Sequence, residues 1–467
     1  MIYDVAIIGG GVVGSAIARE LAQYELQVVL LEAQNDIGKS TSKANTAILH
    51  TGFDAKPGYL EQRLLRRGYE LLRDYGAAAG IPIEPLGALL IAWDGAQYES
   101  LPKLRDTAHE NGVTDVEIVS TEEVYRREPY LGQGVLGGLL VPGESIICPF
   151  TTPLAFATQA VANGVHLSVN SPVQAVQMDE DGLHSLILPN KTIRARYVIN
   201  AAGLYSDTIN RLFGHDEFTV TARRGELIVF DKLSRPLVNH ILLPVPTKIT
   251  KGVLISPTVF GNVMLGPTAE DLDDKTATGT TAQGMAALMQ QGKRILPELL
   301  AEEVTATYAG LRAATEHGDY QIHVHPEQRY ICVGGIRSTG LSASMGIAEY
   351  IVTQLGEVGL KLILRADFKA IRMPNIGEAF PRPYQSETMI TRDSSYGQVI
   401  CFCERVTLGE VRDAFHSRIP ACDSDGLRRR TRAQLGRCQG FYCSAAVMAL
   451  LSEETGQSIE KLTGVQA

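Results

Sequence analysis

An α/β fold with a second, mostly antiparallel sheet and a small helical domain at the carboxyl end is what this sequence predicts, on three observations. The first residues read as strand, glycine-rich turn, helix, strand. The middle of the chain alternates apolar and polar residues in short stretches. Four of the seven cysteines fall in two tight pairs near the end. At 467 residues the chain exceeds what one hydrophobic core holds, so two or three domains are expected.

The opening βαβ unit follows from a change of hydrophobic period: a strand from Asp4 to Ile8, a helix from Val13 to Tyr24, a strand from Gln27 to Glu32. Between the first two, Gly9-Gly10-Gly11-Val12-Val13-Gly14 fits G-x-G-x-x-G. In that context the first glycine makes the tight turn, the second lets the backbone approach a pyrophosphate, and the third lets helix and strand pack closely. The helix N-terminus then offers free N–H groups to the phosphates. Gly9, Gly11, Val12, Val13 and Gly14 are therefore expected to hold a dinucleotide. Glu32, ending the second strand, is expected to accept from the ribose hydroxyls. This pattern alone leaves FAD and NAD open.

Segments at 87–93, 226–230, 253–256 and 263–266 predict the separate sheet, a substrate domain. Segments at 197–203 and 330–335 look like buried strands ending in glycine. The Rossmann-type nucleotide domain is thus expected to be discontinuous, over 1–75, 145–215 and 325–370, with the substrate domain at 76–144 and 216–324. Residues 371–392, with Pro374, Pro381 and Pro383, read as a linker to a last domain at 393–467.

Composition narrows the function. Hydrophobic residues make up 45% and charged residues 20% of the chain, as in ordinary globular proteins. A net charge of -9 gives no basic field for nucleic acid. The chain enters its first strand without an export signal, and its apolar runs at 86–93 and 445–451 are far too short to cross a bilayer. A cytoplasmic protein is expected, touching the inner face of a membrane at most through a partner.

Cys401-Phe402-Cys403 and Cys438-Gln439-Gly440-Phe441-Tyr442-Cys443 supply four thiolates, which suit either zinc or an iron–sulfur cluster. C-x-C followed by C-x4-C fits poorly with the paired knuckles of structural zinc. Cys148, Cys332 and Cys422 read as plain thiols. Thr407-Leu408-Gly409-Glu410 is a capping box, and a further helix is expected from Cys443 to Leu451.

These motifs carry a resemblance. The run Ser40-Thr41-Ser42-Lys43-Ala44-Asn45-Thr46 after Glu32, with Val173-Gln174-Ala175-Val176, Asn200-Ala201-Ala202-Gly203 and Gly334-Gly335-Ile336-Arg337-Ser338-Thr339-Gly340-Leu341, resembles the glycine-oxidase-like branch of FAD-dependent oxidoreductases. That resemblance implies FAD, and it implies contacts from Ser40, Thr41, Ser42, Lys43, Thr46, Val173, Ala202, Gly203, Gly335, Arg337, Ser338, Thr339, Gly340 and Leu341. Asn45 to Asp54, Lys251-Gly252-Val253-Leu254, Gly266-Pro267-Thr268 and Gly310-Leu311-Arg312 look like the glycerol-3-phosphate oxidase and dehydrogenase group. L-2-hydroxyglutarate oxidases share part of this pattern. The cysteine region, with Leu427 to Arg432 and Gly436-Arg437-Cys438, resembles the BFD-like [2Fe-2S] domain of the large subunit of anaerobic glycerol-3-phosphate dehydrogenase. Cys401, Cys403, Cys438 and Cys443 would then be its ligands. The early region departs from that large subunit and looks like the single-chain oxidases.

The resemblance implies His50 as catalytic base, suited by an ordinary pKa near about 6.5. It also implies Arg312 as the contact to the substrate's anionic group, with Lys251 and Arg337 as further cations of that kind. The expected activity is dehydrogenation of a secondary alcohol on a small anion, glycerol 3-phosphate first and a 2-hydroxy acid as the rival. A relay subunit without its own catalysis is the reading from another class. A cluster has little use where oxygen collects electrons directly from flavin, so a downstream acceptor is implied. Whether that acceptor is an iron–sulfur protein, a membrane-anchoring protein or a quinone stays open, as does a homo- or hetero-oligomeric state.

Overall fold

The computed structural model describes residues 1–246 and 252–463. One sheet carries the parallel ladder expected of a nucleotide fold. Ile2–Ile8 lies between Val28–Leu31 and Thr192–Asn200, His166–Ser168 extends the ladder beyond Val28–Leu31, and Tyr330–Gly334 pairs in parallel with residues 198–200. All four residues of Val28–Leu31 are buried, as a strand covered on both faces requires. Thr192–Asn200 shows two regimes. Its first half alternates exposed and buried beside the antiparallel strand His184–Ile187, and its last four residues are all buried where the parallel strand Tyr330–Gly334 takes that place. Helix Val12–Leu21 lies against helices Thr151–Ala162 and Gly340–Glu357.

The second sheet has nine strands and is antiparallel except where Ile241–Pro244 runs alongside Ala88–Ala92. Its long pair, Thr221–Phe230 with Val304–Ala314, meets the segment 41–45 through Tyr308 and Leu311. The hairpin strand Gln321–His325 pairs with Tyr330–Gly334 and so belongs to the first sheet, which therefore begins at 321 on this side.

The carboxyl-terminal domain wraps helices Leu408–Phe415, Ser424–Thr431 and Ser444–Thr455 around Val406, Val411, Leu427, Val447 and Leu451. The capping box forms as read: Glu410 N donates to Thr407 Oγ1 at 3.3 Å and Thr407 N to Glu410 Oε2 at 2.9 Å. The proline-rich stretch before this domain is docked along it, with Arg382 buried and donating to Glu410 Oε1 at 2.8 Å.

The domain is clamped to the rest of the chain by charge. The buried Asp36 carboxylate, beyond the second strand, accepts from Arg430 Nη1 at 2.7 Å and Nη2 at 2.8 Å, and from Arg429. Lys39 donates to Asp423 at 2.7 Å. On the other flank buried Glu404 meets Lys232 at 3.1 Å and Arg432 at 3.3 Å. The Arg432 guanidinium lies 4.0 Å from the Phe260 ring centre.

Candidate active site

The glycine turn is dictated by crowding. A Cβ on Gly9, whose φ is +110°, would meet the Ala201 carbonyl oxygen at 2.4 Å, and one on Gly14 would meet the Gly9 carbonyl oxygen at 1.9 Å. Gly11 is different: a Cβ there would touch Ser42 Oγ alone, at 3.3 Å, and otherwise faces open space that a side chain would fill. Val12 N at the helix start donates to Ser42 Oγ at 2.9 Å. Val13 lies toward the first turn of the second helix, 4.0 Å from where a Gly340 Cβ would stand. Two helix N-termini thus converge on one cradle.

Glu32 accepts from Gly10 N at 2.7 Å and Gln34 N at 2.8 Å. Burial nevertheless holds its carboxyl above the usual carboxylate range. Val173 comes two residues after Ser171, whose amide donates to the Glu32 carbonyl at 2.8 Å. Ala202 and Gly203 continue the strand that crowds Gly9, and Gly203, at φ +58°, has nothing within 4 Å of a Cβ position. Gly335 turns at φ +65° ahead of Ser338 and Leu341. Thr339 Oγ1 bonds Tyr320 at 2.6 Å and donates to Glu61 at 2.7 Å, and Arg337 donates to the Gly318 carbonyl. The Arg337 and Thr339 side chains therefore brace this turn.

The loop 40–46 is a three-way junction. Ser42 touches the glycine turn, Thr41 Oγ1 donates to the Leu311 carbonyl at 2.8 Å, and Tyr308 donates to the Asn45 carbonyl at 2.8 Å. Gly310 is pressed against it, since a Cβ there would meet the Ala44 carbonyl oxygen at 1.9 Å. Lys43 Nζ is engaged by Asp425 of the carboxyl-terminal domain at 3.0 Å, so its charge serves the domain contact. Ser40 and Thr46 sit at the ends of the loop. A cavity of about 690 Å³ opens at this junction, lined among others by Ala44, Asn45, Phe260, Tyr308, Arg432 and Gln439.

His50 stands beyond the loop. Its amide donates to Ser342 Oγ at 2.8 Å, at the start of helix Gly340–Glu357, and its Nδ1 lies 2.9 Å from Glu144 Oε2. The Glu144 side chain is fully buried and also accepts from Thr51 N at 2.7 Å and Thr51 Oγ1 at 2.8 Å. A carboxylate so placed draws the ring proton to Nδ1 and leaves Nε2 as the basic nitrogen. Glu144 was not read from the sequence, where it is one acidic residue after a Pro-Gly turn.

Arg312 lies on the strand that meets the loop. Its Nη2 donates to the Thr268 carbonyl at 2.8 Å, and its buried Nε has no hydrogen-bond partner among the described residues. Burial first, and then the Arg223 guanidinium beside it, pull its pKa down to about 10. The Asp271 carboxylate, which is paired with Arg223, opposes that shift, and among the described residues no carboxylate forms an ion pair with Arg312 itself. Lys251 lies outside the described residues.

The four paired cysteines meet as two thiol–thiol contacts, Cys403 with Cys438 and Cys401 with Cys443. Burial alone would raise the Cys438 thiol, but the N–H of Tyr442, the Cys403 thiol and the N–H groups of Gly440 and Phe441 hold it below its ordinary value. Burial and neighbouring Cys401 push Cys443 up to about 12. Four thiols gathered in one small domain, with N–H groups directed at the Cys438 sulfur, are a donor set suited to thiolate-bound iron. Cys148, Cys332 and Cys422 lie elsewhere, and all seven cysteines are free thiols.

These residues fit a flavin dinucleotide at the glycine cradle and a four-thiolate cluster in the last domain. The comparisons agree. The family model for FAD dependent oxidoreductase matches residues 4–354, and that for the BFD-like [2Fe-2S] binding domain matches residues 399–453. The glycerol 3-phosphate dehydrogenase of Caloramator mitchellensis is 36% identical over 463 residues, covering 98% of this chain and 96% of that protein. The structure of L-alpha-glycerophosphate oxidase from Mycoplasma pneumoniae with FAD bound is similar with a TM-score of 0.76 at 31% identity, over 80% of this chain and all of that one. The mitochondrial L-2-hydroxyglutarate dehydrogenase of Bos taurus is 29% identical over 57% of this chain and 61% of that protein.

Proposed function

The chain belongs to the family of FAD-dependent oxidoreductases and carries a BFD-like [2Fe-2S] binding domain, and from that premise we propose that it oxidises glycerol 3-phosphate to dihydroxyacetone phosphate. The observation that carries this reading is the relative of that name, which spans both parts of the chain, cluster domain included, at 36% identity. The hydroxyglutarate relative stops at 57% of it.

In this reading FAD supplies the acceptor for the hydride on C2, and the [2Fe-2S] cluster supplies a one-electron relay onward. Gly9, Gly11, Val12, Val13 and Gly14 would hold the pyrophosphate, Glu32 the ribose, and Cys401, Cys403, Cys438 and Cys443 the cluster. His50 Nε2 takes the proton of the C2 hydroxyl as the C–H bond breaks, so that a neutral ketone leaves. Glu144 fixes the tautomer and balances the imidazolium that results. Arg312, buried and in no ion pair among the described residues, grips the phosphate and sets C2 in place. Excluding water around that guanidinium strengthens the grip.

The electrons then need a partner outside the chain. Gln439, beside Cys438, lines the cavity on the inner side of the cluster domain. On the outside Phe402, Phe441 and Tyr442 are 73%, 82% and 76% exposed between the cluster ligands. Aromatic side chains at such a spot favour a docking redox protein. No helix among the described residues is long and apolar enough to cross a membrane, and seven free thiols suit a reducing compartment. The test is anaerobic mixing of the purified protein with glycerol 3-phosphate, L-2-hydroxyglutarate and glycine. Bleaching of the flavin by glycerol 3-phosphate alone is expected. Bleaching by the hydroxy acid alone, or by a partner protein and no alcohol, refutes the reading.

A further inference from the structure

The hairpin end farthest from the glycine cradle carries histidines that the oxidation does not use. His323 and His325 alternate on strand Gln321–His325, and His215 and Glu217 lie on the segment that leads into the second sheet. One ligand atom each from His215, Glu217 and His325 lies within 4.8 Å of the others. Glu217 Oε1 is 3.3 Å from His325 Nε2 and 3.6 Å from His215 Nδ1. Ligands at the corners of a tetrahedron around zinc stand about 3.3 Å apart, given bonds of about 2.0–2.1 Å.

The neighbours of these groups orient them. His215 Nε2 lies 2.7 Å from Gln328 Oε1, an acceptor, so the ring proton sits on Nε2 and the lone pair is on Nδ1, toward Glu217. Glu217 Oε2 accepts from Asn210 Nδ2, whose Oδ1 in turn accepts from the Tyr330 hydroxyl at 2.9 Å. Oε1 is thereby turned to the two imidazoles. His325 Nε2 is buried and, among the described residues, makes no hydrogen bond in spite of its distance to that oxygen. As a lone pair it is repelled by the carboxylate, and as an N–H it is unsatisfied. A cation between them removes both costs.

We propose that His215, Glu217 and His325 bind one divalent transition-metal ion of the zinc class, with water completing the coordination. Two imidazole nitrogens and one carboxylate oxygen favour zinc, cobalt, nickel or copper over magnesium or calcium. The two rings are stacked, 3.5 Å between centres and 16° between planes. They must swing about their Cβ–Cγ bonds for both lone pairs to meet one ion, a motion open to half-buried rings. His325 faces Tyr330 across the hairpin, while Gly334, next to the flavin-side turn, is four strand steps away, about 13 Å. The ion therefore staples the hairpin to the segment at 215–217 and takes no part in the oxidation.

The test uses the full chain, loaded with FAD and cluster and purified without a histidine tag. Zinc uptake is followed by equilibrium dialysis and elemental analysis, with iron counted in the same samples so that zinc replacing the cluster is recognised. One zinc per chain is expected at unchanged iron. Gln328→Ala should raise the Kd by roughly 10–100-fold, and His325→Gln, His215→Asn and Glu217→Gln by more, with flavin content and the rate of flavin reduction unchanged. Zinc should raise the melting temperature of the parent and not of these three. Equal zinc binding by parent and His325→Gln, or no uptake by a parent that holds FAD and iron, overturns the proposal.

Discussion

His50 and Glu144 form a pair, Nδ1 to Oε2 at 2.9 Å, between a half-buried imidazole beside helix Gly340–Glu357 and a fully buried carboxylate that spends its other bonds on Thr51. In the proposed reaction this arrangement divides the labour of proton removal: Nε2 would meet the substrate, while Glu144 would set which nitrogen is basic and stabilise the charge that appears.

His50→Ala should therefore slow flavin reduction by about 10²–10⁴-fold while changing substrate affinity little. Glu144→Gln keeps the volume and one acceptor but removes the charge, so its loss should be intermediate. Stopped-flow absorbance under anaerobic conditions measures both. Parental rates in His50→Ala from pH 6 to 9 would move the base to another residue.

Arg312 should act on binding. A charge-assisted hydrogen bond is worth about 1.5–3 kcal/mol, so Arg312→Ala should raise the substrate concentration needed by about 10–150-fold with a smaller effect on the limiting rate. Arg312→Lys restores the charge without the planar fork and should recover part of the loss. An unchanged KM in Arg312→Ala would exclude it from the anion site.

The cysteine quartet predicts about two irons and two sulfides per chain. Cys403→Ser should remove them while FAD stays bound, because the glycine cradle and the cysteines share no residue. Gly11→Trp should do the reverse, filling the open face above the turn. Iron and sulfide assays with flavin absorbance separate the two, and one zinc in place of iron would refute the cluster.

Much of this was legible because the signals are local. The glycine turn, the capping box at Thr407 and the paired cysteines each lie within a few residues of one another, and short-range sterics and hydrogen bonding decide them. Glu144 was not legible: it reaches His50 across 94 positions, and nothing beside it in sequence marks it. The hairpin strand 321–325 reads as polar because histidines alternate along it, and only its pairing with Tyr330–Gly334 shows to which sheet it belongs. The Arg429-Arg430 pair lies in the run Leu427 to Arg432 that carries the resemblance, but its partner Asp36, 393 and 394 positions away, shows only once the chain is folded.

That clamp gives the last prediction. Burial alone would raise the Asp36 carboxyl, but the Arg430 and Arg429 guanidiniums and the Ile37 amide hold it below the usual carboxylate range. Asp36→Asn leaves two buried guanidiniums facing a neutral amide and should cost about 3–5 kcal/mol. Because the folded pKa is depressed below an unfolded value of about 3.9, the stability from ionising Asp36 is fully present above that value and is lost as pH falls through the folded one. The gap between parent and variant in urea unfolding should thus be constant from pH 5 to 8 and shrink below pH 4. The clamp also holds the cluster domain against the loop after the second strand, so the variant should be cut faster by protease in the stretch 371–392. A variant as stable as the parent at pH 7, with the same cleavage rate, would mean that the remaining contacts, Lys39 with Asp423, Lys43 with Asp425 and Lys232 with Glu404, suffice to hold the domain.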